Sequence, residues 1–223
     1  MTKRFIVLGV MLCFLSVRAD DLSHFFDASN DNHVPADYKG KPYAGYPADI
    51  PGTIHAETYD IAPDATPGIC FDKSDSKEAQ PTTTKFRTTP DSIGIAAYRD
   101  DSINTENKAE SKDQVFIGWT HVGQWFKYTV KVKESGDYII GGKFAATTNS
   151  SALAFDFGPG VHTQPLPVPA TTGVNESVSS FHTWELLDKM DTIHLDKGTY
   201  VMTVTIENQA GLNLGYFTFK KKE

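Results

Sequence analysis

The chain has 223 residues, with 28 acidic against 21 basic side chains and a formal net charge of −7. That length builds one domain with a sizeable core, or one domain plus a tail. The acidic balance argues against nucleic acid and against anionic membranes as partners, since both need a basic footprint.

Residues 1–19 read as a secretory signal. Lys3 and Arg4 form the basic start, Phe5 to Leu15 the apolar run, and Val17-Arg18-Ala19 the cleavage site, so cleavage after Ala19 is expected. The apolar run is short for a bilayer, and no later segment is long enough to cross one. Cys13 lacks the small-residue context of bacterial lipid attachment, so a secreted, extracellular product is expected, free or held at a cell wall. Cleavage removes Lys3, Arg4 and Arg18 and no acid, which takes the formal charge from −7 to −10. Cys70 is then the one cysteine left, either buried or available for intermolecular pairing.

Residues 20–49 are polar and turn-rich, with Tyr38, Tyr43 and Tyr46 among Gly and Pro, and read as a linker or an arm packed on the domain. The domain is expected over 50–219. Thr53 to Asp60 alternates as an opening strand, and residues 61–92, broken by Pro63, Pro67, Pro81 and Pro90, read as a surface insertion. The stretch from Gly118 to Val132 carries the strongest pattern. Phe126, Tyr128, Val130 and Val132 fall on one face and Lys127, Thr129 and Lys131 on the other, the period of a half-buried antiparallel strand. Trp119 sits just before it on a Gly-flanked bend. It is either a core residue closing one end of a sandwich or an exposed platform on which a pyranose ring stacks.

Asp137 to Ala146 and Ala152 to Phe157 read as a strand pair joined at Asn149-Ser150, followed by an apolar pattern over 181–193. Lys197-Gly198 turns into Thr199 to Ile206, Asn213 to Phe219 closes the domain, and residues 220–223 form a basic tail. No segment shows a helical stripe. The sum predicts an all-β fold, a β-sandwich or jelly roll of two antiparallel sheets with an irregular N-terminal arm. Asn149 and Asn175 head Asn-x-Ser triplets in loop-like sequence, where N-glycosylation would be tolerated.

Reaction chemistry is poorly represented. Hydrolysis of a glycan needs two carboxylates about 5–10 Å apart across the scissile bond. The acidic pairs Glu57/Asp60, Asp100/Asp101 and Asp188/Asp191 lie in loops or on polar faces. The seven His show no metal-binding spacing, and neither a Ser nucleophile elbow nor a phosphate-cradling Gly loop occurs. No catalytic residue is assigned. A structural calcium ion is the better candidate cofactor, with Glu57 and Glu106 as ligands, each of which reads otherwise as a surface carboxylate.

The order of these motifs resembles the family 6 carbohydrate-binding modules, β-sandwiches with a galactose-binding-like fold. Ile50-Pro51-Gly52-Thr53-Ile54-His55-Ala56-Glu57-Thr58-Tyr59-Asp60 is similar to the family's opening, and Gly94-Ile95-Ala96-Ala97-Tyr98-Arg99-Asp100 to a following segment. Gly118-Trp119 through Tyr128 matches its Gly-aromatic, Gly-polar-Trp-apolar-polar-Tyr signature. Gly136-Asp137-Tyr138, Lys197-Gly198-Thr199-Tyr200 and Gly211-Leu212-Asn213-Leu214-Gly215-Tyr216-Phe217 fit the later turns and the closing strand.

The resemblance implies a non-catalytic glycan-binding protein whose site lies in loops at one end of the sandwich. Trp119 matches the first aromatic platform and Asn213 the amide that bonds sugar hydroxyls. In Ser180-Phe181-His182-Thr183-Trp184, Phe181 takes the place of the second platform and Trp184 that of a structural aromatic. By period, Trp125 and Tyr128 are expected in the core. His55 and Thr218 stand where acidic or amide calcium ligands are common, which departs from the pattern. The expected partner is a polysaccharide or oligosaccharide of β-glucan, xylan or galactan type. Two alternatives remain: a small glycan-degrading enzyme, and an adhesive wall protein whose contacts run through the arm and Cys70.

Overall fold

The computed structural model describes residues 31–73, 87, 93–97, 115–171, 180–208 and 211–223. The expected signal segment, Glu106 and Asn175 lie outside them. Among the described residues, eleven strands run in chain order: β1 Ala48–Ile50, β2 Gly52–His55, β3 Ile95–Ala97, β4 Val115–Ile117, β5 Trp125–Val132 and β6 Gly136–Ala146, then β7 Ser151–Asp156, β8 Leu166–Val168, β9 Glu185–Leu195, β10 Gly198–Asn208 and β11 Leu212–Lys221. They form two sheets, β1-β5-β10-β7-β8 and β3-β4-β11-β6-β9, with β2 pairing β11 besides. The pairings are antiparallel except β1 with β5. This is the sandwich that the alternating patterns predict.

Alternation explains why the sheets face each other. Phe126, Tyr128, Val130 and Val132 of β5 point inward and are buried, as are Tyr200, Met202, Val204 and Ile206 of β10, while Lys131 is exposed. The facing sheet supplies Tyr138, Ile140 and Phe144 from β6 and Leu212, Leu214, Phe217 and Phe219 from β11. A register shift between Leu214 and Tyr216 lets both ends of β11 keep their apolar residues inside. Aromatic rings meet edge-on across the core, Phe155 to Phe217 at 5.4 Å and Tyr128 to Phe217 at 5.8 Å.

Five sequence expectations need correction. Trp125 is half-buried on the Lys127 face, with the Lys127 ammonium 5.1 Å from its ring, because period two places it opposite Phe126. β6 and β7 do not pair, since β6 lies between β11 and β9 while β7 lies between β10 and β8, so the turn at Asn149-Ser150 carries the chain from one sheet to the other. The opening strand stops at His55, and Ala56–Thr58 forms a 3-10 turn that buries Glu57. The segment read as a surface insertion contributes Ala62, Cys70, Phe71 and Arg87 to the interior. Lys220 and Lys221, read as tail, end β11.

The N-terminal arm is fastened to the sandwich from residue 31 onward. His33 stacks on Tyr200 at 4.3 Å, and the backbone of Lys41 exchanges two hydrogen bonds with that of Ile61, at 3.0 and 2.7 Å. Tyr38 donates its hydroxyl to Asp60 at 2.7 Å, and β1 adds an edge strand beside β5. At Ile50–Pro51 the chain passes from one sheet to the other.

Candidate functional site

The loop between β4 and β5 is held at four points. Thr120 donates its hydroxyl to the Leu212 carbonyl at 2.6 Å, and the Gly118 N–H donates to the Gly94 carbonyl at 2.8 Å. Gly123 N–H donates to Ile206 O, and Ile206 N–H to Gln124 O, both at 2.8 Å. Within this frame Trp119 adopts φ +52° and leaves 40% of its surface exposed. A non-Gly residue in the left-handed region costs about 1–2 kcal/mol, and persists only where the surroundings fix it. The ring rests against Gly94, where an added Cβ would lie 2.5 Å from Trp119 Cε3. Trp119 is therefore neither core nor loosely exposed. It is an aromatic surface locked in place by its loop.

Phe181 enters from a 3-10 turn over Ser180–His182, just ahead of β9. Asn213 of β11 is 5% exposed and donates its side-chain N–H to the Phe181 carbonyl at 2.6 Å. Its Oδ1 lies over Gly118, where an added Cβ would be 3.0 Å away. The three residues singled out from the sequence thus meet at one end of the sandwich. Asn213 has a further role that the sequence did not reveal: half of its donor capacity binds the Phe181 segment rather than solvent.

The floor behind Phe181 is aromatic. Phe116 of β4 is buried, with the His182 ring 5.8 Å and the Trp184 ring 5.0 Å away, both edge-on. Lys143 of β6 places its ammonium 5.5 Å from the Trp184 ring, and burial lowers its pKa from the ordinary lysine value. Trp184 is thereby the packed aromatic that the resemblance implies. Gly94, Phe116 and Lys143 escaped the sequence reading, and only Gly94 had a signal, its place at the head of a matching motif.

The calcium expectation rests on Glu57, which is fully buried. Its Oε1 lies 3.7 Å from the His55 imidazole. Next to it Arg87, itself 7% exposed, donates to three backbone carbonyls: Glu57 at 3.2 Å, Tyr59 at 2.6 Å and Asp60 at 3.1 Å. Its guanidinium also covers the Tyr59 ring at 3.4 Å. Among the described residues, no three His, Cys, Asp or Glu side chains converge. Glu106, the other expected ligand, lies outside the described residues.

Asp60 and Cys70 are engaged elsewhere. Asp60 Oδ1 accepts the Thr129 N–H at 2.9 Å, and Oδ2 accepts the hydroxyls of Thr129 and Tyr38 at 2.5 and 2.7 Å. Desolvation nevertheless raises the Asp60 pKa above the usual aspartate value, with Thr129 and Tyr38 working against it. Cys70 is buried with its Sγ 3.4 Å from the Tyr38 hydroxyl oxygen, and burial raises its thiol pKa. Asn149 is exposed at the β6–β7 turn, its Oδ1 accepting the Ala170 N–H at 2.8 Å.

The family model for the carbohydrate binding module (family 6) matches residues 96–221. Similar solved structures include a carbohydrate-binding module from Cellvibrio mixtus lichenase 5A in complex with cellotriose, 18% identical over 78% of this chain and 98% of that one, with a TM-score of 0.48. A β-1,3-glucan-binding family 6 module from Bacillus halodurans is 18% identical over 78% and 99%, with a TM-score of 0.47. A family 6 module from Clostridium stercorarium in complex with cellobiose is 14% identical over 80% and 99%, with a TM-score of 0.45. The sequence matches no curated protein.

Proposed function

Because this chain belongs to the family 6 carbohydrate-binding modules, we propose that it is a secreted, non-catalytic protein that retains polysaccharide of β-glucan, xylan or galactan type. The observation that carries the reading is Trp119, 40% exposed and fixed at φ +52° beside the Asn213–Phe181 pair. An aromatic ring left partly bare costs hydrophobic free energy that the C–H face of a pyranose recovers. Trp119 supplies the main stacking surface and Phe181 a smaller second one. Asn213 orients the ring through Oδ1 and its remaining N–H, since an amide both donates and accepts. Burial of Cys70 speaks against the adhesive alternative, which needs an accessible thiol.

Tryptophan emission tests the reading. Titration with soluble β-glucan, xylan and galactan oligosaccharides should perturb the emission for at least one of them, and the perturbation should vanish in Trp119→Ala. A ligand-induced change that survives in folded Trp119→Ala would remove this surface as the site.

A further inference from the structure

Thr120, Gly123 and Gln124 tie the Trp119 loop to the sandwich from within. His121 ties it on the other side, to the segment that lies along the start of β5. There the Asp72 N–H donates to the Trp125 carbonyl at 2.9 Å, and the Gln124 side-chain amide donates to the Asp72 carbonyl at 3.2 Å. The His121 ring is half-buried, two residues from Trp119, and reaches both parts. Its Nε2 lies 2.9 Å from the Lys73 carbonyl oxygen and its Nδ1 3.1 Å from the Val122 carbonyl oxygen. A carbonyl oxygen only accepts. A neutral imidazole has one N–H and must turn a lone pair on one of the two carbonyls, whereas the imidazolium donates to both.

We propose that His121 is a positioning residue of the glycan site: its doubly protonated ring clasps the Trp119 loop to the Asp72–Lys73 segment, so that acid strengthens glycan binding. The inference rests on Trp119 as the glycan platform, whereas the clasp itself does not. The charges around the ring agree with it. The Asp72 carboxylate lies 3.7 Å from Nε2 and attracts the imidazolium. Lys73 meets the ring with its carbonyl, and its own side chain is exposed. The loop from Gly118 to Gln124 has no other titratable side chain. On β10, the strand that bonds Gly123 and Gln124, the nearest ionisable residue in the chain is Glu207, beside Ile206. A platform works only while its geometry is held, and the two residues between His121 and Trp119 in the chain leave little slack: a ring that lets go of Lys73 frees the outer side of the loop. Protonation of the ring and locking of the loop are then linked, each favouring the other.

The test uses the full chain and four proteins: wild type, His121→Gln, Trp119→Ala and the double variant, each checked for folding by circular dichroism. Retention on insoluble neutral β-glucan, xylan and galactan is measured from about pH 5 to about pH 8, the range in which an imidazole changes charge. On the retaining glycan, wild type should bind about fivefold more tightly at the acid end, the worth of one net hydrogen bond, and His121→Gln should lose that gain. Asp60, and His182 beside Phe181, are the same in both proteins, so the difference between the two profiles isolates His121. A second readout needs no glycan. The emission of Trp119, obtained by subtracting the matching Trp119→Ala spectrum, should be less open to acrylamide quenching at the acid end, and equally open at both ends with His121→Gln. Retention profiles that coincide for wild type and His121→Gln overturn the role of His121 and leave the Trp119 reading untouched. Quenching of Trp119 that ignores pH overturns the clasp as well. Retention of Trp119→Ala equal to wild type, or of wild type by none of the three glycans, rejects the glycan reading and with it the role of His121 in binding, and the quenching still decides whether the clasp exists.

Discussion

The Asn213 side-chain N–H donates to the Phe181 carbonyl at 2.6 Å, and through this bond the last strand holds the short turn that carries the second aromatic of the site. Asn213→Ala should therefore act twice. Leaving a part-buried carbonyl without its donor costs about 1–3 kcal/mol, to be read from urea denaturation. Glycan affinity should fall further than loss of one sugar hydrogen bond explains, because Phe181 is released as well. Unchanged stability would mean that the bond holds nothing.

Gly94→Ala separates the placement of Trp119 from its chemistry. The new methyl would lie 2.5 Å from Trp119 Cε3 and 3.0 Å from the Gly118 carbonyl. The ring must move, at a cost of about 1–3 kcal/mol for overpacking. Glycan affinity should drop at least tenfold although no ligand-contacting atom is removed. Wild-type binding by Gly94→Ala would show that the position of the ring does not matter.

Arg87 fixes the turn that follows β2 from inside the protein. Arg87→Ala strips the donor from the carbonyls of Glu57, Tyr59 and Asp60. The expected loss is about 3 kcal/mol, since hydrogen bonds to charged groups are worth about 1.5–3 kcal/mol each and water replaces part of them. Arg87→Ala as stable as wild type in urea denaturation would contradict this account of the turn.

Much of the fold is legible in the residues, and its failures have physical causes. The alternation of β5 names its buried face residue by residue, because period two depends on local geometry alone. The same rule, applied strictly, puts Trp125 outside with Lys127, against the core place expected for it. Alternation says nothing about partners. The β6–β7 turn looks like a hairpin but crosses between sheets, and only the other strands decide that. Motif order singles out Trp119, Phe181 and Asn213, which the fold brings near one another. The interior role of Arg87 was not, since an Arg between Pro-rich stretches carries no local mark of the three carbonyls it meets.

Asp60 should impose a pH dependence. Its pKa is raised in the folded protein, chiefly by desolvation, above the unfolded value near about 3.9. The folded state therefore binds the proton more tightly than the unfolded state between the two values. Its contribution to stability is fully present below the unfolded pKa and is lost as pH rises through the folded pKa. Relative to Asp60→Asn, wild type should lose stability over that window, and the Asp60 carboxyl should titrate above the ordinary aspartate range by NMR. A midpoint at or below that range would contradict the dominance of desolvation.

The central claim is that Trp119 holds the glycan. Wild type and Trp119→Ala, with matched circular dichroism and melting temperature, are incubated with insoluble β-glucan, xylan and galactan, and the protein left in solution is measured. The account predicts that wild type is retained by at least one glycan and that Trp119→Ala loses most of that retention. Equal retention of both proteins on every glycan that binds wild type would contradict it.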